Sequence, residues 1–396
     1  MGGDEARAGE IVQDTTQNKT KVVYDPIDYS AVVERLRLAS KPTLWQRMTS
    51  RLGKPLFENS TAENLRISGR AGVKYAPETN LSLVGAIAGE YTTDKSNNTT
   101  PPSSIALVAD VSIIGFYNFG ISGETYLPKG KDLFSYKASV GSAPIRFWGL
   151  GYKAGLNNLR TKYTRKSADA KVEYLREVVN DLWLGAGINY TYLDGRHFEP
   201  LAVEYLSAKQ LEQNIVSTVG FGLRGLYDKR NSKINTTSGY YLSLKGELHP
   251  SALANHKNNI LHIEAIADFY LSAWEGGVVA ADFYADLWSS ATPWMMLPSI
   301  GGSTRMRGYY YGRYIDSKTV SGQVEVRQHI YGPFGVCAWG GAAKVFPSFK
   351  TLDLKHILPN GGLGIRIALG DGTSLRVDYG FGRHSNELII NINEAF

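Results

Sequence analysis

From Leu65 to the last residue, apolar and polar residues alternate along the chain with a period of two. Successive side chains of a β-strand point to opposite faces, so this period indicates strands with one apolar and one polar face. Leu261 and Ile263, for example, alternate with His262 and Glu264. No helical period interrupts the pattern for more than 300 residues. The sequence therefore predicts an all-β fold for most of the chain.

The alternating region divides into sixteen candidate strands. They are predicted at 66–76, 80–92, 103–113, 115–126, 132–141, 160–176, 181–193, 213–226, 239–249, 258–272, 276–288, 318–331, 334–346, 359–369, 372–382 and 386–396. Bacterial single-chain outer-membrane barrels contain an even number of antiparallel strands. The count is therefore consistent with a closed barrel.

Alternation alone does not distinguish a membrane barrel from a soluble β-sandwich, whose apolar faces point inward. The lengths of the connections distinguish the two folds, because outer-membrane barrels have long external loops and short periplasmic turns. Long connections are predicted on one rim, at 142–159, 194–212, 289–317 and 347–358, and mostly short ones on the other, at 127–131, 177–180, 273–275, 332–333 and 370–371. We therefore predict a 16-stranded antiparallel transmembrane β-barrel over residues 63–396.

Residues 1–62 lack the alternation and are predicted to form an N-terminal periplasmic extension. Short amphipathic helices are expected at 31–38 and 42–52, where apolar residues recur near helical spacing. We expect the extension to pack under the barrel mouth, and the alternatives for Trp45–Arg51 are a position on the membrane surface or plugging of the lumen. The opening MGGDEARAGE has no apolar core of a signal peptide. We therefore expect that a signal peptide was removed from this sequence.

Composition limits the partners and the chemistry. The formal net charge of +6 comes from scattered lysines and arginines without a basic stripe. This favours anionic outer-membrane lipid, including lipopolysaccharide, as a partner over nucleic acid. The single cysteine, Cys337, excludes an intramolecular disulfide and a cysteine-rich zinc site. The sequence has no G-x-S-x-G, H-E-x-x-H or P-loop motif, so we expect no enzymatic activity, no cofactor and no metal.

The loop between the eleventh and twelfth candidate strands carries the most specific motif. It contains GGSTRMRGYYYGRY, with Arg307, Gly308 and Tyr309 at its centre. In this position the motif resembles the arginine–glycine–aromatic motif in the sixth external loop of the BamA-type insertase and translocase family. In that family the loop folds into the barrel, and its arginine meets a glutamate of the twelfth strand. GQVEVRQHI is similar to that strand, so the resemblance implies that Arg307 pairs with Glu325.

Two features depart from the family pattern. The family's thirteenth strand usually supplies an aspartate as the second partner of the arginine, but Gly341 occupies that place here. Asp282, Asp286 and Asp378 are candidates to replace it, because the alternation puts them on the polar face. Family insertases also carry periplasmic polypeptide-transport-associated (POTRA) domains, which the 62 preceding residues do not resemble. We expect a subgroup without these domains, similar to members from the Bacteroides side, which RFWGLGY (146–152) resembles.

The resemblance implies a function in a Gram-negative outer membrane. The protein is expected to assemble, insert or translocate outer-membrane or surface proteins, alone or as a subunit of a larger complex. The first alternative is a structural or docking barrel without insertase activity, and the second is a passive pore. Its partners would be client proteins or complex subunits, and a homodimer remains open.

The part expected to act is the seam, by which we mean the junction between the first and last barrel strands. Glycine weakens strand interiors, and an incompletely paired edge can template an incoming strand. The last strand also ends in an aromatic residue, which resembles the assembly signal of outer-membrane barrels. The residues assigned to the seam are Gly69, Gly72, Asn391 and Phe396.

Overall fold

The computed structural model of the protein describes residues 57–62, 65–77, 79–94, 100–157, 160–211, 213–233, 235–370 and 373–396. Its strands are β1 (Phe57–Ala62), β2 (Leu65–Ala76), β3 (Asn80–Tyr91), β4 (Ser103–Ser112), β5 (Tyr117–Tyr126), β6 (Asp132–Phe147), β7 (Thr161–Val179), β8 (Leu182–Arg196), β9 (Ile215–Asp228), β10 (Gly239–His249), β11 (Ile260–Trp274), β12 (Gly277–Trp288), β13 (Ser299–Ile300), β14 (Tyr314–Ile315), β15 (Lys318–Tyr331), β16 (Phe334–Phe346), β17 (Leu358–Gly370), β18 (Thr373–Gly382) and β19 (Ser385–Ile392). Within the described residues, two short α-helices, α1 (Tyr152–Leu156) and α2 (Pro200–Ala208), lie in connections. The helices predicted at 31–38 and 42–52 lie outside the described residues.

Sixteen of these strands, all except β1, β13 and β14, form one closed antiparallel barrel. Strands that are consecutive in the barrel pair with each other, and β19 pairs with β2 to close the ring. β13 and β14 pair with each other inside the connection between β12 and β15. The predicted 16-stranded antiparallel barrel is therefore confirmed.

The two faces of the barrel wall have the opposite polarity to those of a soluble protein. Leu223, Leu271 and Leu363 are largely exposed on the outer face, whereas Asp282 and Glu325 are fully buried on the inner face. An apolar outer band around a polar interior is the arrangement of transmembrane barrels, because the outer face meets lipid. Among the described residues no helix is long and apolar enough to cross a membrane.

The three longest connections, 148–160, 197–214 and 289–317, lie on one rim, which we call external by analogy with other outer-membrane barrels. External loop 6, residues 289–317, joins β12 to β15, and external loop 7, residues 347–357, joins β16 to β17. The connection between β15 and β16 on the opposite rim consists of only residues 332–333.

Two strands extend farther toward the external rim than predicted. β6 continues to Phe147, although the sequence placed a loop from residue 142 onward, and β8 continues to Arg196, three residues beyond its predicted end. Phe147 packs in a buried cluster with Tyr163 of β7, Leu206 of α2 and Trp294 of external loop 6. The predicted loop boundary is wrong, because this packing stabilises the added strand residues.

A further strand, β1, precedes the barrel in a segment for which the sequence predicted no strand. It pairs antiparallel with β2, from Phe57 opposite Gly69 to Ala62 opposite Leu65. The segment FENSTA has no apolar alternation, so periodicity does not reveal it. Its pairing satisfies backbone groups on the edge of β2, since an unpaired backbone group away from water carries a large energetic cost.

Candidate functional site: external loop 6 and the seam

External loop 6 enters the barrel and places Arg307 against two strands of the wall. The Arg307 side chain is fully buried. Its Nη2 donates a hydrogen bond to Oε2 of Glu325 on β15, and its Nη1 donates to Oδ2 of Asp378 on β18 at 2.6 Å. One guanidinium therefore bridges two carboxylates on strands that are not neighbours, which its planar set of donors allows.

Of the three aspartates considered as the second partner, Asp378 is the one that contacts the motif arginine. Asp282 accepts a hydrogen bond from Nε of Arg305 in the same loop, at 2.9 Å. Asp286 accepts one from the indole nitrogen of Trp288 near the external rim, at 2.7 Å. Asp282 and Asp286 therefore contribute to the lumen wall but not to the contacts of the motif arginine.

The structure also gives a physical reason for the missing aspartate at Gly341. A Cβ atom at this position would lie 2.6 Å from the carbonyl oxygen of Gly322 and 2.8 Å from Oδ1 of Asn360. Real Cβ atoms do not approach other atoms this closely, so a longer side chain requires a rearrangement here. Nδ2 of Asn360 instead donates a hydrogen bond to the backbone oxygen of Arg307, at 3.1 Å.

Gly308 permits the loop backbone to touch the barrel wall. Its φ is +103°, in the region that favours glycine. A Cβ atom on Gly308 would lie 2.6 Å from the backbone nitrogen of Phe381, and one on Gly380 would lie 2.7 Å from the nitrogen of Gly308. Two glycines thus face each other across the contact between external loop 6 and β18.

Tyr309 fastens the same loop to the external ends of β17 and β18. Its hydroxyl donates a hydrogen bond to the carbonyl oxygen of Pro359 at 2.6 Å and accepts one from the backbone N–H of Arg383 at 2.7 Å. Its ring packs edge-on against Tyr314, with centroids 5.7 Å apart. All three motif residues therefore contact the wall formed by β15 to β18.

Trp339 on β16 forms the surface on which the motif arginine rests. The guanidinium carbon of Arg307 lies 3.8 Å from the centroid of the indole ring, which is a cation–π contact. Gly362 on β17 leaves space for the ring, since a Cβ atom there would come within 2.3 Å of it. The sequence did not indicate this role, because no charge or motif distinguishes Trp339 from other inward aromatic residues.

The two carboxylates are shared with three further arginines on the barrel wall. Glu325 also accepts a hydrogen bond from Arg327 at 2.6 Å. Asp378 also accepts one from Arg366 at 2.6 Å and one from Arg376 at 3.1 Å. Sequence analysis missed these arginines, although two of them stand two residues from a carboxylate and therefore on the same face. We call this set the arginine cluster: Arg307, Arg327, Arg366, Arg376, Glu325 and Asp378.

The segment after β19 leaves the barrel wall and binds the arginine cluster. Asn393 has a φ of +66°, where the chain turns inward. Oε2 of Glu394 then accepts a hydrogen bond from Nε of Arg366 at 2.7 Å. The backbone oxygen of Phe396 accepts one from Nη2 of Arg327 at 3.0 Å. We call residues 393–396 the tail.

The tail corrects the expectation that the last strand runs from 386 to 396. β19 ends at Ile392, and the ring of Phe396 lies inside the barrel, 6.4 Å from that of Tyr270. The alternation continues to Phe396 in the sequence, so it does not reveal the inward turn. Interactions of Glu394 and Phe396 with distant arginines override the local strand pattern.

The seam is closed by one pair of residues, Ile390 of β19 opposite Tyr75 of β2. By contrast, the ladder between β17 and β18 extends from Asn360 opposite Gly382 to Gly370 opposite Thr373. In this register Lys74 and Val73 would lie opposite Asn391 and Ile392 of β19 but do not pair with them, and Gly72 would lie opposite the first residue of the tail. The seam therefore has far fewer backbone hydrogen bonds than the other barrel junctions.

Of the predicted seam residues, Gly72 and Asn391 lie where β2 and β19 approach each other, whereas Gly69 and Phe396 do not. Gly69 is opposite Phe57 of β1 and does not face the last strand. Gly72 is near β19, since a Cβ atom on it would lie 3.6 Å from Cδ1 of Ile392. Asn391 points inward, where its Nδ2 lies 3.4 Å from the hydroxyl of Ser303 in external loop 6. Between Gly69 and Tyr75, the seam edge of β2 has no partner in β1 or β19.

Comparison with protein families gives one match. A model described as the Omp85 superfamily domain matches residues 131–388, which is more than half of the chain. No curated protein matches the sequence. In the residues that the structure describes, no group of three or more His, Cys, Asp or Glu side chains is arranged to hold a metal ion.

Solved structures with the same fold are distant in sequence. BamA from Haemophilus ducreyi lacking POTRA domains 1–3 is 14% identical, with a TM-score of 0.56, and the match covers 92% of this chain and 77% of that one. CdiB from Acinetobacter baumannii is 11% identical, with a TM-score of 0.55, and the match covers 84% of this chain and 60% of that one. CdiB from Escherichia coli is 12% identical, with a TM-score of 0.55, and the match covers 82% of this chain and 62% of that one. These likenesses establish the fold alone.

Proposed function

Because the chain belongs to the Omp85 superfamily, we propose that it takes part in the insertion or translocation of other proteins at the outer membrane of a Gram-negative bacterium. The seam between β19 and β2 is the part that acts, by opening sideways into the membrane. No catalytic residue and no cofactor are needed for this function. The observation that carries the proposal is the single residue pair that closes the barrel.

Backbone hydrogen bonding supports opening at this junction. Each net hydrogen bond contributes about 0.5–1.5 kcal/mol, so a ladder shortened by several pairs is weaker by several kcal/mol. The least stable part of a folded protein is the part that opens first. The free stretch of β2 between Gly69 and Tyr75 also presents unpaired backbone groups beside lipid. An incoming strand would satisfy these groups, and unsatisfied groups cost several kcal/mol in a bilayer.

The arginine cluster supports the proposal because it stiffens the wall beside the seam. External loop 6 is bonded to β15 and β18 through Glu325 and Asp378. Arg376 also donates a hydrogen bond to the backbone oxygen of Ser303 in this loop, at 2.6 Å. The cluster binds the tail as well, so the interactions that fix external loop 6 also keep β19 short. A rigid wall on one side restricts motion to the weak junction.

A docking barrel without insertase activity is the second candidate, and β1 favours it. β1 already occupies the edge of β2 from Leu65 to Gly69, which limits the edge left for a client strand. A passive pore receives no such support, because external loop 6 lies in the lumen and the cluster around Phe147 and Trp294 closes part of the external rim. A homodimer and association with lipopolysaccharide remain compatible with both candidates.

Depletion of the protein in its own bacterium tests the proposal. We expect the amounts of some outer-membrane or surface proteins to fall while their unassembled precursors accumulate, measured by quantitative proteomics of purified outer membranes. The full-length protein, isolated from native membranes, should co-purify with these clients. An unchanged outer-membrane proteome together with stable stoichiometric partners would contradict insertion and support the docking barrel.

A further inference from the structure

External loop 7 bends over the outer side of the barrel, whereas external loop 6 enters the lumen. Val336 and Ala338 of β16 are exposed on the outer face of the barrel. Alternation along the strand places Lys344 and Phe346 on the same outer face, yet both side chains are buried. Since this outer wall faces lipid, another part of the chain must cover them. The covering residues belong to external loop 7.

Two contacts hold external loop 7 against this outer wall. Nζ of Lys344 donates hydrogen bonds to Oδ1 of Asp353 and to the backbone oxygen of Lys355, both at 2.5 Å. The Phe346 ring packs edge-on against that of Phe349, with centroids 5.6 Å apart. The hydrogen bond from Lys344 lowers the pKa of Asp353. The loop is therefore fixed on the lipid side of β16.

The outer surface of this loop is apolar and basic. Leu354 is 91% exposed, although a leucine gains free energy by leaving water. Three more large apolar side chains of the loop are exposed with it: Phe349, Leu352 and Ile357. Lys350 and Lys355 are also exposed, and neither forms an ion pair with any residue that the structure describes. Exposed apolar residues grouped in this way mark a surface that meets an apolar partner.

The position of the loop along the barrel axis corresponds to the outer edge of the membrane. Phe334 starts β16 at the periplasmic rim, and Lys344 stands ten residues farther along the strand. At about 3.3 Å per residue and a tilt of roughly 40°, this separation corresponds to about 25 Å along the axis, the height of the apolar band of such barrels. External loop 7 thus lies at the level of the external lipid head groups.

We propose that external loop 7 is a membrane-interface anchor, which inserts Leu352 and Leu354 among the outer-leaflet lipids and binds their anionic head groups through Lys350 and Lys355. The apolar patch is continuous with the lipid-facing wall, and its basic residues complement an anionic leaflet. The anchor fixes the height of β16 in the membrane, and β16 carries Trp339, on which Arg307 rests. A lipid surface is therefore the occupant, in preference to a second protein.

Fluorescence quenching in bilayers tests the anchor. A Leu354→Cys variant of the full chain, made in a Cys337→Ser background, would be labelled with an environment-sensitive fluorophore and reconstituted into phosphatidylcholine–phosphatidylglycerol vesicles. We expect blue-shifted emission, strong quenching by lipids brominated near the head group, and little quenching by aqueous iodide. The matched control is a label at Glu204, an exposed residue of α2, which iodide should quench and brominated lipid should not.

Two other outcomes would overturn the proposal. A label at residue 354 that behaves like the control at residue 204 would place the loop in water. Protection from both quenchers would show that a protein, such as a second copy of the chain, covers the loop. The head-group contact has its own test, since Lys350→Gln with Lys355→Gln should reduce quenching by brominated lipid in anionic vesicles but not in neutral ones. If the double substitution changes quenching by brominated lipid equally in anionic and in neutral vesicles, the binding of anionic head groups is refuted.

Discussion

Replacing Arg307 with alanine is expected to lower the free energy of unfolding of the barrel by about 3 kcal/mol, near the lower end of the roughly 3–5 kcal/mol lost when a buried ion pair is broken. The loss should not reach the upper end, because Glu325 keeps Arg327 as a partner and Asp378 keeps Arg366 and Arg376. Neither carboxylate is left without a cation. Urea unfolding of the reconstituted protein, followed by heat-modifiable migration on semi-native gels, measures the change.

Two further variants separate the motif arginine from a general effect of lumen charges. Arg307→Lys keeps the charge but lacks the planar fork that reaches both carboxylates, so we expect most of the loss to remain. Arg305 belongs to the same loop, is partly exposed and forms its ion pair with one carboxylate, that of Asp282. We therefore expect Arg305→Ala to lower the free energy of unfolding by less than Arg307→Ala does. Equal stability of the Arg307→Ala variant and the unmodified protein would show that the arginine cluster does not hold external loop 6.

A disulfide across the seam is expected to abolish function in cells. Tyr75→Cys with Ile390→Cys, in the Cys337→Ser background, joins the one pair of residues that the structure places opposite each other at this junction. A covalent link there prevents the sideways opening on which the proposed function depends. Growth or client assembly in cells that rely on this variant, with and without a membrane-permeant reductant, measures the effect. Reduction should restore the function.

The matched control is a disulfide at a junction with a long ladder. Val279 of β12 and Val326 of β15 are opposite each other on the outer face, so Val279→Cys with Val326→Cys places the same chemistry on a wall that is not expected to open. This control should remain functional when oxidised. Full function of the oxidised seam variant would reject opening and leave the docking barrel as the better account.

The barrel could be predicted from the sequence because one physical constraint acts on nearly every strand. Each strand faces lipid on one side and polar groups on the other, so a period of two follows wherever the wall crosses the membrane. β15, from Lys318 to Tyr331, has the bounds that alternation predicts. Strand ends that leave the membrane, such as that of β6 at Phe147, depend on packing under the loops and are not encoded in the same period.

The site was only partly predictable, for a similar reason. The pairing of Arg307 with Glu325 was inferred from a family resemblance, and the structure brings these residues together. Alternation named Asp378 as one of three candidate partners, but the choice among them depends on the space left by Gly364 on β17, which a one-dimensional pattern cannot express. The tail and β1 were missed because each is fixed by partners far away in the sequence, Arg366 for the tail and β2 for β1.

The most direct test of the account is to identify what contacts the free edge of β2 in living cells. Val73 lies on this edge, between the residues paired with β1 and the one paired with β19, and its side chain points outward. A photo-crosslinking amino acid at Val73 should capture outer-membrane proteins during their assembly. The same probe at Leu223, on the lipid-facing wall of β9, should not. Absence of protein adducts at Val73, or the same adducts at both positions, would contradict a function at the seam.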